Sequence, residues 1–194
     1  MKLMIDLFSG LGGASEAFVQ SGRWSVLRYE NNAALGYVPF TQLVDLRTFE
    51  IKCRHEIDII WASPPCQDFS RAYDAPAPRS ERAGIEFEPD LTLVKKAKEI
   101  IDNLKPRYWV IENVVGAIKE FEAILGEPRQ IIGPFVLWGN FPLLTMERDF
   151  KHSKASVDKR HSPIRSNIRA QIPLEISSQL LRAVENQRTL FDAF

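Results

Sequence analysis

Five short, nearly continuous apolar runs, at residues 3–8, 24–29, 43–46, 57–62 and 108–111, divide the first two-thirds of the chain. Runs of that length without polar alternation suit strands buried on both faces, which requires helices on both sides of a sheet. Between the fourth and fifth runs, the segment 90–104 predicts such a helix. Leu93, Val94, Ala97, Ile100, Ile101 and Leu104 fall on one face of it, and Pro106 marks its stop. Strand, helix and strand in repeated order predict an α/β architecture, an open, mostly parallel sheet with helices on both faces. With 194 residues, 45% hydrophobic and 26% charged, the expectation is one domain spanning 1–194.

Such sheets bind ligands beyond the carboxyl ends of their strands. The polar motifs of this chain fall there. Phe8-Ser9-Gly10-Leu11-Gly12-Gly13 follows the first run and Glu30 the second; Asp45 lies at the end of the third. Ser63-Pro64-Pro65-Cys66-Gln67-Asp68-Phe69-Ser70 follows the fourth and Glu112-Asn113-Val114 the fifth. A glycine turn lets backbone approach a ligand closely, although alone it equally fits a tight strand-to-helix turn. Ser15 stands where a dinucleotide fingerprint would have its third glycine. Glu30, about 20 positions past the glycines, is placed to accept hydrogen bonds from ribose hydroxyls, which points to an adenosine derivative as cofactor.

Cysteine is often a small core hydrophobe. Around Cys66, however, two prolines stiffen the chain and remove backbone donors, and Gln67, Asp68 and Ser70 make the stretch polar, as an exposed loop would be. A thiol with an ordinary pKa of about 8.5 needs help to become a nucleophile at neutral pH, and Arg71 is the adjacent cation. Glu112 ends the apolar run Tyr108-Trp109-Val110-Ile111, where a carboxylate is costly unless partnered. Capping a neighbouring helix would satisfy it. So would a chemical role: a thiolate that adds to an electron-poor ring, with a carboxyl hydrogen-bonded to the ring nitrogen, makes a nucleophile–acid pair suited to a pyrimidine.

The rest of the chain narrows the classes of partner. The 25 basic and 25 acidic residues balance, so a nucleic-acid surface has to be local. Cys53 and Cys66, with His55, His152 and His161, give neither a disulfide framework nor zinc-ligand spacing, and a reducing cytoplasm fits. Asp6 interrupts the N-terminal apolar run before it could act as a signal peptide, and no later run reaches membrane-spanning length. After Gly116 the pattern weakens. Residues 121–125 close a helix, 130–138 read as one or two strands, and Gly139-Asn140-Phe141-Pro142 reads as a turn. The segment 148–169 sets Arg148, Lys151, Lys154, Lys159, Arg160, Arg165 and Arg169 against Asp149 and Asp158 and reads as a solvent-facing loop. Beyond it, Pro173 suits a first helical turn, and Ile176, Leu180, Leu181 and Val184 form an apolar stripe.

These residues resemble the DNA (cytosine-5) methyltransferases. Asp6-Leu7-Phe8-Ser9-Gly10-Leu11-Gly12-Gly13 is similar to the family's cofactor loop, Pro64-Pro65-Cys66-Gln67 to its nucleophile loop and Glu112-Asn113-Val114 to its cytosine-binding glutamate motif, in the family's order over residues 1–116. The resemblance implies a Rossmann-like S-adenosylmethionine-dependent methyltransferase fold. It implies that Cys66 adds to carbon 6 of a flipped-out cytosine while Glu112 holds and protonates ring nitrogen 3. Phe8, Gly10 and Gly12 would hold the methionine half of S-adenosylmethionine, Glu30 its ribose and Asp45 its adenine amino group, with Ser9, Gly13, Asn31, Leu46 and Pro64 as further cofactor contacts. Ser63, Pro65, Gln67, Ser70, Arg71, Asn113 and Val114 would contact the substrate, and residues 71–89 would form the loop that closes over the base. No metal is implied.

Two family elements are altered. Its Gln-x-Arg-x-Arg element is missing in that form, with Pro128-Arg129-Gln130 in the corresponding place, and its closing Gly-Asn segment is replaced by Ala170-Gln171-Ile172-Pro173. Family members also carry a sizeable target-recognition domain where this chain has only the segment 148–169, too short for a core of its own. That implies weak sequence specificity, single-stranded or short-context cytosines in DNA, or a recognition subunit supplied by another chain. A transfer-RNA cytosine-5 methyltransferase shares the same motif set, and a non-catalytic S-adenosylmethionine-binding subunit is the alternative outside catalysis.

Overall fold

The computed structural model describes residues 2–147, 150, 152 and 162–187. Its strands are β1 (Lys2–Leu7), β2 (Trp24–Glu30), β3 (Thr41–Leu43), β4 (Ile59–Ala62), β5 (Tyr108–Val114), β6 (Gln130–Ile132) and β7 (Phe135–Asn140). Its helices are α1 (Glu16–Ser21), α2 (Pro76–Arg82), α3 (Thr92–Leu104), α4 (Ile118–Leu125), α5 (Arg165–Arg169) and α6 (Leu174–Glu185). The strands form one seven-stranded sheet in the order β3-β2-β1-β4-β5-β7-β6. β1 to β5 run parallel, and β7 is antiparallel to both β5 and β6. The order reverses between β1 and β4, so the carboxyl ends of those two strands flank the crevice where such sheets take ligands.

Both faces of the sheet are covered, and this is why its strands read as unbroken apolar runs. On one face Leu3, Ile5 and Leu7 of β1 pack with Val94, Ala97, Ile100 and Ile101 of α3 and Phe121 of α4. On the other, Met4 of β1 and Trp61 of β4 pack with Phe18 of α1 and Ile176, Leu180, Leu181 and Val184 of α6. Alternate residues of one strand thus enter two different cores. α3 starts at Thr92, whose amide donates to the Asp90 carboxylate (2.8 Å), and ends at Leu104, where Lys105 turns left-handed (φ 48°) ahead of Pro106.

Three local readings are corrected. The third strand covers Thr41–Leu43 rather than 43–46, because its only neighbour is β2, paired through Arg28, Tyr29 and Glu30. Past the Val44 amide, which donates to the Glu30 carbonyl, the chain turns at Asp45 and buries Leu46 from the turn. Gly139-Asn140 belongs to β7 and not to a turn. Gly139 (φ 134°) lies so close to β5 that a side chain would collide with the Trp109 carbonyl, so the glycine serves a close strand approach. Within 148–169, residues 165–169 form the short helix α5. Arg148, Lys151, Lys154, Lys159 and Arg160 lie outside the described residues. No helix among the described residues is long and apolar enough to cross a membrane.

Candidate active site

At the end of β1 the chain makes a sequence of left-handed steps at Phe8 (φ 57°), Gly10 (φ 54°) and Gly12 (φ 76°). Glycine adopts these freely, but Phe8 does so against its side chain, and strained backbone of this kind collects at ligand sites. Glu30, at the end of β2, fixes the turn from beside it. Its carboxylate accepts from the Gly10 amide (2.8 Å) through one oxygen and from the Asn31 and Asn32 amides (both 2.9 Å) through the other. A carboxylate accepts about four hydrogen bonds, so one position remains for a ligand hydroxyl. Ser9 is buried and its hydroxyl has no partner among the described residues, which leaves a polar atom for a bound group to satisfy.

The C-terminal segment closes over this turn. Ser177 of α6 donates to the Ala14 carbonyl (2.7 Å) and accepts from the Ala17 amide (3.0 Å). Any side chain at Gly13 would collide with the Ile172 carbonyl. Asn32 donates to the side chain of Asn167 on α5 (3.2 Å) and to the Pro163 carbonyl (3.4 Å). The Ala170-Gln171-Ile172-Pro173 stretch therefore lies against the glycine turn although its own glycine is missing.

Beneath the turn, Arg28 of β2 is almost fully buried. It donates to the Ser15 hydroxyl (2.8 Å), the Gly12 carbonyl (3.0 Å), the Pro39 carbonyl (3.1 Å) and the Glu16 carboxylate (3.1 Å), while Ser15 donates to Asp6 (2.6 Å). Burial pushes the Asp6 carboxyl up to about 6 despite the Ser15 hydrogen bond and the Arg28 charge. Arg28→Ala leaves two backbone carbonyls, a hydroxyl and a carboxylate without their donor. The expected cost is about 3–5 kcal/mol, a large part of a domain's stability, read as a lower urea midpoint that Arg28→Lys fails to restore for want of a planar fork.

Asp45 and Leu46 stand less directly in the crevice. Both Asp45 oxygens are engaged by Arg47 at 2.6–3.0 Å, which holds the carboxyl below its usual range, so an adenine amino group has to compete with that pair. Leu46 is a core side chain, which leaves its backbone for any ligand contact.

On the β4 side, Pro64 is buried and Pro65 exposed, and Cys66 is half-buried at the head of a 3-10 turn, Gln67–Phe69. Phe69 anchors this turn edge-to-face on Phe121 (centroids 4.8 Å apart), and Gly116 packs so tightly on the Phe69 carbonyl that a side chain there would displace it. Asn113, also buried, donates to the Pro64 carbonyl (3.0 Å) and accepts from the Val114 amide (2.9 Å), tying the end of β5 to the proline turn. Gln67 and Arg71 are exposed, and the Ser70 hydroxyl accepts from the Ala72 amide (3.2 Å). Glu112 is 8% exposed. It accepts from Ser63 (2.8 Å), which accepts in turn from the Trp61 indole (2.8 Å). Burial pushes the Glu112 carboxyl up to about 7, with the Ser63 hydrogen bond opposing the rise. A thiol in the turn after β4 and a carboxyl near the end of β5, held partly neutral, thus lie on adjacent parallel strands.

The family model for C-5 cytosine-specific DNA methylases matches residues 3–125, which carry all of these motifs. The chain belongs to this family. Among relatives of this chain, the "Probable DNA (cytosine-5)-methyltransferase" of Frog virus 3 is 28% identical over 127 residues, covering 61% of this chain and 56% of the viral one. The type II methyltransferase M.AquIA of Picosynechococcus is 29% identical over 151 residues, covering 68% of this chain and 58% of its own. The chain thus spans a little over half the length of these two relatives. A solved Pyrococcus abyssi tRNA (uracil-54, C5)-methyltransferase is 12% identical with a TM-score of 0.44, over 72% of this chain and 34% of that one.

Several residues of the candidate site escape a reading of the sequence. Arg28 left a signal, a cation inside an otherwise apolar strand, but its partners are scattered from Gly12 to Pro39. Trp61, Asn32, Asn167 and Ser177 left none, since each acts through a contact distant along the chain or looks like ordinary core. Arg129 and Gln130, at the place of the family's Gln-x-Arg-x-Arg element, bond the backbone of Phe141 and Leu144. That pins the segment after β7.

Proposed function

We propose that this chain transfers a methyl group from S-adenosylmethionine to carbon 5 of cytosine in DNA through a covalent adduct with Cys66. The observation that carries the reading is that Cys66 follows β4 and Glu112 lies near the end of β5, the strand paired with it, with Glu112 able to exchange a proton near neutral pH. The glycine turn, the Ser9 hydroxyl and the remaining acceptor position of Glu30 fit the methionine and ribose parts of the cofactor, which when bound supplies an electrophilic methyl group. Cys66 Sγ adds to carbon 6 as Glu112 gives its proton to nitrogen 3, so the ring carries its electron pair at carbon 5 without a full negative charge. After carbon 5 has taken the methyl group, it loses its proton to a solvent water acting as base. Re-formation of the ring double bond expels the thiolate, and nitrogen 3 returns its proton to Glu112.

The unit is read as a single catalytic domain in which the basic segment 148–169 stands in place of a recognition domain. Lysines and arginines there suit phosphate contacts, which position DNA without reading its sequence. Selectivity then comes from short sequence context or from a second chain. The test is nucleoside mass spectrometry after incubating the chain and S-adenosylmethionine with single-stranded DNA, duplex DNA and transfer RNA, separated before digestion. 5-Methylcytosine in a DNA pool supports the reading. Its appearance in RNA alone keeps the chemistry and overturns the substrate, and cofactor binding without product in any pool favours the non-catalytic subunit or a missing partner.

A further inference from the structure

Among the described residues the carboxyl of Glu112 is engaged on one side only: Oε2 accepts from Ser63. The direction of the Ser63 hydrogen bond follows from its other partner. An indole N–H can only donate, so the Trp61 contact occupies a lone pair of Ser63 Oγ and leaves the single hydroxyl proton to be given to Glu112. Trp61 is fully buried in the core, and the Asn113 bond to Pro64 fixes the backbone just after Ser63, so the relay has little freedom to turn.

We propose that Ser63 is a positioning residue for proton transfer: locked by Trp61, it reserves Oε2 of Glu112, so that Oε1 alone faces the substrate and carries the proton that the cytosine ring receives. This rests on the reading of Glu112 as the acid. An unrestrained carboxylic acid presents its proton from either oxygen and rotates, and the relay removes both freedoms. The surroundings leave this task to Ser63. β4 and β7, the strands flanking Glu112, carry no ionisable side chain, and the turn after β4 brings the Cys66 thiol, then Asp68 and Arg71. None of these charges contributes to the shift of Glu112, whose causes are burial and the Ser63 hydrogen bond.

The experiment is a carbon-13 NMR titration of glutamate-labelled full-length chain, with Glu112→Gln to assign the signal, run beside single-turnover methyl transfer against pH. Ser63→Ala and Ser63→Thr are compared with the unaltered chain. The expected result for Ser63→Ala is an upward move of the Glu112 midpoint by roughly one unit, because the bond that favours the ionised form is gone. The single-turnover rate falls tenfold or more with little change in KM, and its alkaline limb moves to higher pH. Ser63→Thr, which keeps the hydroxyl, restores both. An unchanged midpoint in a folded Ser63→Ala overturns the positioning role whatever the activity. If the unaltered chain transfers no methyl group yet the midpoint moves up in Ser63→Ala and returns in Ser63→Thr, the hold of Ser63 on the carboxyl stands while the transfer reading falls.

Discussion

Cys66→Ser is expected to end methyl transfer, lowering the rate on the order of 10⁴-fold or more, while the chain stays folded and still binds S-adenosylmethionine. Cys66 is half-buried at a turn held by Phe69, Gly116 and Asn113, and exchanging sulfur for the smaller oxygen leaves those three anchors in place. What is lost is nucleophilicity, because a serine hydroxyl has negligible oxyanion at neutral pH, whereas a thiol with an ordinary pKa of about 8.5 is partly ionised there. The sharper readout is trapping with DNA carrying 5-fluorocytosine. Fluorine at carbon 5 blocks the proton loss that releases the enzyme, so the unaltered chain accumulates a covalent complex on a denaturing gel and Cys66→Ser forms none. A complex that persists in Cys66→Ser places the nucleophile elsewhere and ends the mechanism proposed for this chain.

Glu112→Gln is expected to act in opposite directions on activity and stability. Without an acidic proton for nitrogen 3, the transfer rate falls by about 10²–10⁴. The fold, in contrast, gains at alkaline pH. The carboxyl of Glu112 lies at about 7 in the folded chain against an ordinary 4.5, so the folded state binds its proton more tightly than the unfolded chain does. Stability from this group is fully present below pH 4.5 and is lost as pH rises through 7, up to about 3 kcal/mol by proton linkage. Asp6, raised from 3.8 to about 6, has the same sign over a lower window. Glu112→Gln should therefore melt several degrees above the unaltered chain at pH 8 and show little difference at pH 4.5. Equal melting at pH 8 would mean that the carboxylate is solvated or paired in solution.

How the sequence carried this information can be followed residue by residue. The runs 3–8, 57–62 and 108–111 and the helix over 90–104 were legible because a doubly covered strand and an amphipathic helix each write their burial into consecutive residues. Cys66 and Glu112 could be singled out because their loop and strand contexts are local, and the parallel pairing of β4 with β5 puts the two segments that carry them side by side. The extent of the third strand is not written in its own residues, because it depends on where β2 offers partners. Nor does sequence distinguish Gly139, needed for a close approach to Trp109, from a glycine needed for a turn.

The type of residue at each strand end was thus determined by the sequence itself. What only the tertiary structure decided is the state of those groups. The Ser63–Glu112 and Asn113–Pro64 bonds each span 49 positions, and Ser177 reaches Ala17 across 160. Whether a carboxyl is neutral, which oxygen it presents and whether a glycine turn is closed from above are set by such contacts. The sum of burial and hydrogen bonds around a group fixes its protonation, and that sum is assembled from segments that do not know of one another until the chain has folded.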